Sequence, residues 1–302
     1  MKVIITGAKG QLGSDLVPLV RNAGFEVVPF SSADLDITDK AGVMARVDAL
    51  RPAIIINCGA YTKVDLAEKE EAKAFEVNQD GAANLAIAAA SVKAVIVHVS
   101  TDFVFDGTRP HPYTESDATN PLGVYGASKL AGEAEIQKRL ESHVIVRTSW
   151  LYGVNGGNFV KTMLKLASER EGLRVVYDQT GSPTWSADLA SALVSITLDI
   201  KAGNKHWGLY HYSNEGVASW YDLAVAAIVE GRRLGLPIKC NHVEPILTAE
   251  YPTPAKRPPY SVFDKALIKK TFGLKIPNWR VSLRDMMNMH SERVRSQASE
   301  YK

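Results

Sequence analysis

Apolar and polar positions follow two different periods along the first half of the chain. Short β-branched runs, Val3-Ile4-Ile5-Thr6, Phe25 to Phe30, Ala53 to Asn57, Ala94 to Val99 and Val144 to Thr148, read as strands covered on both faces. Between them the apolar residues move to helical spacing. Leu12, Leu16, Leu19 and Val20 make one stripe over Gly13 to Ala23, closed by Gly24, and further helices are predicted near Lys40 to Leu50, Glu68 to Ala90 and Val124 to Leu140. Strand and helix in regular succession predict an α/β fold built on a doubly wound parallel sheet.

After Trp150 the succession loosens. A helix over Asn158 to Arg170, a strand over Arg174 to Asp178 and an amphipathic helix over Ser186 to Ile200 are predicted. The proline-rich stretch from Pro245 to Pro259 is too long for a turn and reads as a binding loop.

Gly7-x-x-Gly10-x-x-Gly13 falls where the first strand ends and the first helix begins, the context that turns a loose glycine pattern into a dinucleotide fingerprint. Gly7 suits a tight turn, Gly10 leaves room for a pyrophosphate, and Gly13 lets helix and strand pack closely. The N–H groups at the helix amino terminus then face the phosphates. We therefore expect a dinucleotide-binding Rossmann domain over residues 1–150 and a smaller, mainly substrate-binding region over residues 151–302, with some segments returning to the first. The second strand ends Pro29-Phe30-Ser31-Ser32, with neither an acid for a ribose hydroxyl nor an arginine for a 2′-phosphate, so NADH and NADPH both stay open. Asp36-Ile37 suits an adenine edge and equally a helix cap.

Composition narrows the partners. The 302 residues carry 35 basic and 33 acidic side chains, a net charge of +2 with no basic block, so neither nucleic acid nor a membrane surface is expected as a partner. At 46% apolar the chain can bury a sizeable core. The apolar run from Asn84 to Ser100 is interrupted by Lys93 and falls short of a bilayer span, and the amino-terminal run is wrongly flanked for a signal peptide. A cytoplasmic protein is expected. Cys58 and Cys240, far apart and without ligand spacing, predict reduced thiols, and His206 with His211 lacks companions, so no metal ligands are assigned.

Tyr125 and Lys129 lie four apart and share a helix face, where an ammonium near a phenol favours the ionised form. Alone, such a pair is more often the decoration of an ordinary helix. Ser100-Thr101-Asp102, however, ends the fourth predicted strand, where sheet end and helix bring hydroxyl, phenol and ammonium together.

Taken together, these segments make the chain resemble the extended short-chain dehydrogenase/reductase family. The residues that carry the resemblance are Gly-x-x-Gly-Gln-Leu-Gly (7–13), Ser-Thr-Asp-Phe-Val-Phe-Asp-Gly (100–107), Tyr-Gly-Ala-Ser-Lys-Leu-Ala-Gly-Glu (125–133), Arg147 to Gly153 and Pro254-Ala255-Lys256-Arg257-Pro258. Together, from Met1 to about Met287, they look like its dTDP-4-dehydrorhamnose reductase branch. The resemblance implies reduction of the C4 ketone of dTDP-4-dehydro-6-deoxy-L-mannose to dTDP-L-rhamnose by NADPH or NADH, in nucleotide-sugar and cell-surface polysaccharide biosynthesis. It implies Thr101, Tyr125 and Lys129 as catalytic residues, with Lys129 lowering a phenol pKa that is about 10 when free. Gly7, Gly10, Gln11, Leu12, Gly13, Asp36, Ile37, Ala60, Tyr61, Thr62, Val99, Tyr125 and Lys129 are its implied cofactor contacts. Thr101, Asp102, Trp150, Asn158 and Arg257 are its implied substrate contacts. The last four have structural alternatives: Asp102 and Asn158 as caps, Trp150 as core, Arg257 as a solvated loop residue. For some members the resemblance implies magnesium-assisted homodimers through carboxylates, and Asp15 and Asp188 occupy the approximate regions.

Four rivals share parts of this pattern. A 4,6-dehydratase needs an acid beside the threonine, where this chain has Phe103, and a 3,5-epimerising reductase needs a further acid/base pair. A reductase of another nucleotide-activated 4-keto-deoxysugar fits the same residues. A non-catalytic NADP-binding subunit, resembling that of methionine adenosyltransferase, is of a different class, and retention of all three reactive residues argues against it.

Overall fold

β-branched residues with no polar face to offer make the centre of the molecule. In the computed structural model, which describes residues 1–300 and side chains as far as Arg293, Val3, Ile4, Ile5, Ile54, Ile55 and Ile56 are all fully buried. The strands are β1 (Lys2–Thr6), β2 (Glu26–Phe30), β3 (Ile54–Asn57), β4 (Val95–Thr101), β5 (His143–Thr148), β6 (Leu151–Tyr152), β7 (Gly172–Val176), β8 (Thr180–Gly181), β9 (Thr184–Trp185), β10 (Gly208–His211), β11 (Ala218–Ser219) and β12 (His242–Ile246). Six form the main sheet in the order β10-β5-β4-β3-β1-β2, every pairing parallel. The winding reverses at β1, which lies between β2 and β3. In open sheets of this kind a ligand crevice forms at that switch point, outside the carboxyl ends of the strands.

The helices are α1 (Gln11–Asn22), α2 (Lys40–Leu50), α3 (Val64–Ala67), α4 (Glu71–Phe75), α5 (Gly81–Val92), α6 (Val124–Arg139), α7 (Phe159–Glu169), α8 (Ser186–Lys201), α9 (Trp220–Arg233), α10 (Ala266–Phe272) and α11 (Trp279–Glu300). α1 and α8 cover one face of the sheet, where Leu12, Leu16 and Val20 meet Leu189, Leu193 and Ile196. On the other face α2, α5 and α6 bring Val43, Leu85 and Ile136 against Ile4, Ile55 and Ile96. The later segments build a second apolar cluster around Tyr152, Val160, Leu223 and Leu283. No described helix is long and apolar enough to cross a membrane.

Three elements differ from the sequence expectation. The helix expected over Glu68 to Ala90 is divided into α4, a π-helical turn over Glu76–Asp80, and α5. Long-range polar contacts widen it: buried Asn78 accepts from Tyr61 N at 2.9 Å and donates to Ser128 Oγ at 2.9 Å, binding the turn to α6. Second, β10 extends the sheet beyond β5, and the buried His211 at its end lies against the Phe105 and Phe263 rings. Third, the stretch from Pro245 to Pro259 begins inside a strand. β12 pairs with β7, placing Pro245 opposite Val175, and the chain then crosses to α3, where Arg257 meets Asp65.

Candidate active site

The carboxyl ends of β1, β3 and β4 open on a cleft of about 870 Å³. Its floor is glycine for steric reasons. Gly7 has φ +67°, and a Cβ there would come within 2.7 Å of the Cys58 carbonyl and Gly59 N. Gly13, in the first turn of α1, lies so close to the Gly7 carbonyl that a side chain would collide with it. Gly10 starts α1, and among the described residues no side chain caps it, so the first N–H groups of the helix remain for an anion in the cleft. This cradle fits a dinucleotide diphosphate: backbone lies at the surface and the helix dipole favours negative charge.

Gln11, Leu12, Asp36, Ile37, Ala60, Thr62 and Val99 line the same cleft. Asp36 accepts from Thr38 N and Oγ1 at 2.9 and 2.8 Å, bonds that hold its carboxyl below the usual range. Tyr61 is not in the lining; its hydroxyl donates to Glu70 at 2.7 Å. Lys9, in the turn after β1, and Ser31 and Ser32, past the end of β2, also line the cleft; no spacing in the sequence marks Lys9 for this place. The neighbouring carboxylate, Asp34, is turned to Ser31, accepting from its N at 2.9 Å and its Oγ at 2.5 Å.

Thr101 ends β4, and Tyr125 and Lys129 occupy the first turns of α6. Gly126 packs directly on the Phe103 carbonyl, which seats the helix against the exit of β4. The Phe103 ring meets Tyr125 edge-on, 5.4 Å between centroids. Thr101 Oγ1 accepts from Phe103 N and donates to Asp102 Oδ1, both at 3.2 Å. Asp102 is 2% exposed, and its Oδ2 has no hydrogen-bond partner among the described residues. Burial raises that carboxyl to about 6.

Lys129 departs from the expectation drawn from its spacing. Its Nζ donates to the Val99 carbonyl at 2.7 Å and lies 3.2 Å from His98 Nε2, beneath β4. Burial pushes the Tyr125 phenol up to about 12, with the Thr101 hydroxyl acting in the opposite direction. The phenol thus stands above its free value, not below, because its burial and the Asp102 charge outweigh the Thr101 hydroxyl.

The far end of the cleft is aromatic. Trp150, with φ +47°, stacks on Trp220 at 3.6 Å and 4°, and Phe159 tilts onto Trp220 at 4.6 Å. A Cβ on Gly181 would lie 2.5 Å from the Trp150 ring, so Trp150 is held from both sides. Trp220 and Leu223 also went unrecognised in the sequence; the available signal is the Ser219–Asp222 capping box, which sets where α9 starts. Asn158 caps α7 by accepting from Lys161 N at 3.1 Å, and it donates to Gln11 Oε1 at 3.0 Å, behind the lining rather than in it. Arg257 is likewise outside the lining, its guanidinium held by Asp65 at 2.8 and 3.1 Å.

Asp15 accepts from Asn155 at 2.9 Å and from the Ser186 hydroxyl, and Asp188 accepts from Asn214 at 2.7 Å and Ser282 at 2.5 Å. Both carboxylates are thus engaged within the fold, and among the described residues no cluster of three or more His, Cys, Asp or Glu is placed to hold a metal ion.

A doubly wound parallel sheet, a dinucleotide cradle at its switch point and a Thr-Tyr-Lys group beside the cradle define a nicotinamide-dependent oxidoreductase of the short-chain dehydrogenase/reductase class. Residues 1–291 match the family model described as the RmlD substrate binding domain. The chain belongs to that family. It is 44% identical over 287 residues to a dTDP-4-dehydrorhamnose reductase of Aggregatibacter actinomycetemcomitans, covering 94% of this chain and 98% of the relative. It is 39% identical over 300 residues to the Escherichia coli (strain K12) dTDP-4-dehydrorhamnose reductase, covering 95% and 97%. Among solved structures, the Bacillus anthracis dTDP-4-dehydrorhamnose reductase in complex with NADP superposes with a TM-score of 0.88 at 42% identity, covering 95% of this chain and 99% of that one.

Proposed function

We propose that the protein reduces the C4 ketone of dTDP-4-dehydro-6-deoxy-L-mannose to dTDP-L-rhamnose with NADPH, in the cytoplasmic supply of activated sugar for cell-surface polysaccharides. The observation that carries this reading is the continuity of the cleft. One space joins the glycine cradle, the Thr101-Tyr125-Lys129 group and the Trp150-Trp220 wall. The nearly full-length likeness to dTDP-4-dehydrorhamnose reductases supports the substrate, and the NADP complex of the Bacillus anthracis relative supports the cofactor.

Gly7, Gly10 and Gly13, with the amino-terminal N–H groups of α1, hold the cofactor diphosphate; Asp36 and Ile37 take its adenosine end, and Ala60, Thr62 and Val99 its middle. Lys9 and Ser32 offer a cation and a hydroxyl to a 2′-phosphate. When bound, the reduced nicotinamide supplies hydride to the ketone carbon. Tyr125 gives its phenolic proton to the ketone oxygen, and the Thr101 hydroxyl, turning its one proton from Asp102 to the same oxygen, fixes it. A phenol pushed up to about 12 keeps its proton at neutral pH, which is the state reduction requires. Asp102 lines the same cleft and meets a sugar hydroxyl through its carboxylate. The tryptophan pair walls the pyranose, with Trp220 the contribution of residues 151–302 and Trp150 standing at the end of the first region. Phe103 sets an apolar ring where dehydration needs an acid, which favours simple reduction.

The test is oxidation of NADPH and NADH by purified protein with dTDP-4-dehydro-6-deoxy-L-mannose, product identified by mass and NMR. The expected result is turnover to dTDP-L-rhamnose, faster with NADPH; no turnover with either cofactor refutes the assignment.

A further inference from the structure

His98 is buried on β4 and takes no part in the chemistry above. It lies between two side chains as deeply buried as itself: Asn57 Nδ2 is 3.0 Å from His98 Nδ1, and Lys129 Nζ is 3.2 Å from His98 Nε2. A backbone donor fixes the Asn57 amide. Gly59 N–H, at 3.0 Å, can only donate, so the Asn57 atom it meets is the carbonyl oxygen, which also receives Thr6 Oγ1 at 2.6 Å. Asn57 Nδ2 therefore donates to His98 Nδ1. A neutral imidazole that accepts at Nδ1 carries its proton on Nε2, so the atom facing Lys129 is a donor. An ammonium at this place would set N–H against N–H. An amine gives one hydrogen to the Val99 carbonyl at 2.7 Å and turns its lone pair to His98.

We propose that His98, locked as the Nε2–H tautomer by Asn57, is a positioning residue that disfavours the ammonium form of Lys129 in the free protein. Its bearing on catalysis rests on the reading of Lys129 as part of the reducing group, but its test is read on the free protein. The other groups facing Lys129 are Tyr125 one turn earlier on α6, Glu133 one turn later, and Cys58 from the end of β3. Glu133 is matched by Arg147 at 2.6 Å and Ser100 at 2.5 Å, which blunts its pull toward an ammonium. Burial, opposed by Glu133 and Cys58, brings Lys129 down to about 8, and burial with the neighbouring lysine keeps His98 well below its usual range and hence neutral. The result is a lysine that changes charge close to neutral pH, one helical turn from Tyr125.

Nitrogen-15 NMR of histidine-labelled free protein should show His98 with a pyrrole-type Nε2 and a pyridine-type Nδ1, a measurement that needs no variant. The Lys129 midpoint is read from carbon and nitrogen shifts of labelled lysine, its signal identified by loss in Lys129→Met. Asn57→Asp can only accept, so it turns His98 to the Nδ1–H form and offers Lys129 a lone pair. His98→Gln can present its amide oxygen to Lys129 and adds no charge. In both, the Lys129 midpoint should rise by about one pH unit or more, and the alkaline limb of the kcat/KM profile should move with it. An Nδ1–H tautomer in the wild type, or a Lys129 midpoint unmoved in folded His98→Gln, overturns the proposal. The expected tautomer and titration in a protein without sugar turnover would support it and overturn only the substrate assignment.

Discussion

Arg147→Met is expected to destabilise the fold severely, and the structure sets the size of the loss. The Arg147 and Glu133 side chains are 5% and 2% exposed and joined by three contacts, at 2.6, 2.9 and 3.2 Å. Ser100 Oγ donates to the same carboxylate at 2.5 Å, and the guanidinium lies over the Phe105 ring at 5.1 Å. Methionine keeps much of the stem but strips the carboxylate of its charged partner, leaving Ser100 to serve a buried anion. Breaking such a pair from one side costs about 3–5 kcal/mol, because the remaining charge is uncompensated. At this chain length that corresponds to a fall in Tm of roughly 5–8 °C. The pair ties β5 to α6 across the end of β4, so the loss falls on the element that carries Tyr125 and Lys129. Urea unfolding and thermal melts of Arg147→Met, Glu133→Leu and the double variant complete a cycle. Because a well-packed apolar pair can replace a buried ion pair at little net cost, the double variant should recover most of what either single loses. Single variants within about 1 kcal/mol of wild type, or a double variant no better than the sum of the singles, would refute the reasoning.

Three further outcomes are expected. Tyr125→Phe should lower kcat by about 10²–10⁴-fold while cofactor binding, followed by thermal shift, is retained; loss of binding together with rate would mean that the phenol is structural. Gly13→Ala drives a methyl into the Gly7 carbonyl, so it should cost about 1–3 kcal/mol and abolish stabilisation by NADPH; an unchanged thermal shift would count against the cradle. Asp102, raised to about 6 by burial, is an acid whose folded pKa exceeds its unfolded one, so its contribution to stability is present below the ordinary carboxylate range and lost as pH rises through about 6. Unfolding free energies of Asp102→Asn and wild type should therefore diverge in favour of the variant by about 2–3 kcal/mol between about pH 4 and pH 7, and a constant difference contradicts the assignment.

Where local chemistry dictates structure, the chain could be read directly. Ile54-Ile55-Ile56 has no polar face and is buried on both, and Gly7 and Gly13 stand where a Cβ has no room. The features that escaped are set by partners distant in sequence. Glu76-Val77-Asn78-Gln79-Asp80 looks helical locally, and the π-turn there is imposed through Asn78 by Tyr61 and Ser128. β10 is short and ends in a histidine, a residue that signals no strand; its burial depends on Phe105 and Phe263. Trp150 was recognisable by motif, but Trp220, which covers its face, comes from a different element. The direction of Lys129 follows from the Val99 carbonyl and His98, which helical spacing on α6 does not describe.

Two indoles lying 3.6 Å apart and nearly parallel, at 4°, behave as a coupled chromophore rather than as two separate ones. The Trp150–Trp220 pair thereby gives the sugar end of the cleft its own optical signature, in near-ultraviolet dichroism and in fluorescence. Since each indole belongs to a different segment, one after β5 and the other opening α9, any change in their stacking on ligand binding is read directly in that signal, without any attached dye.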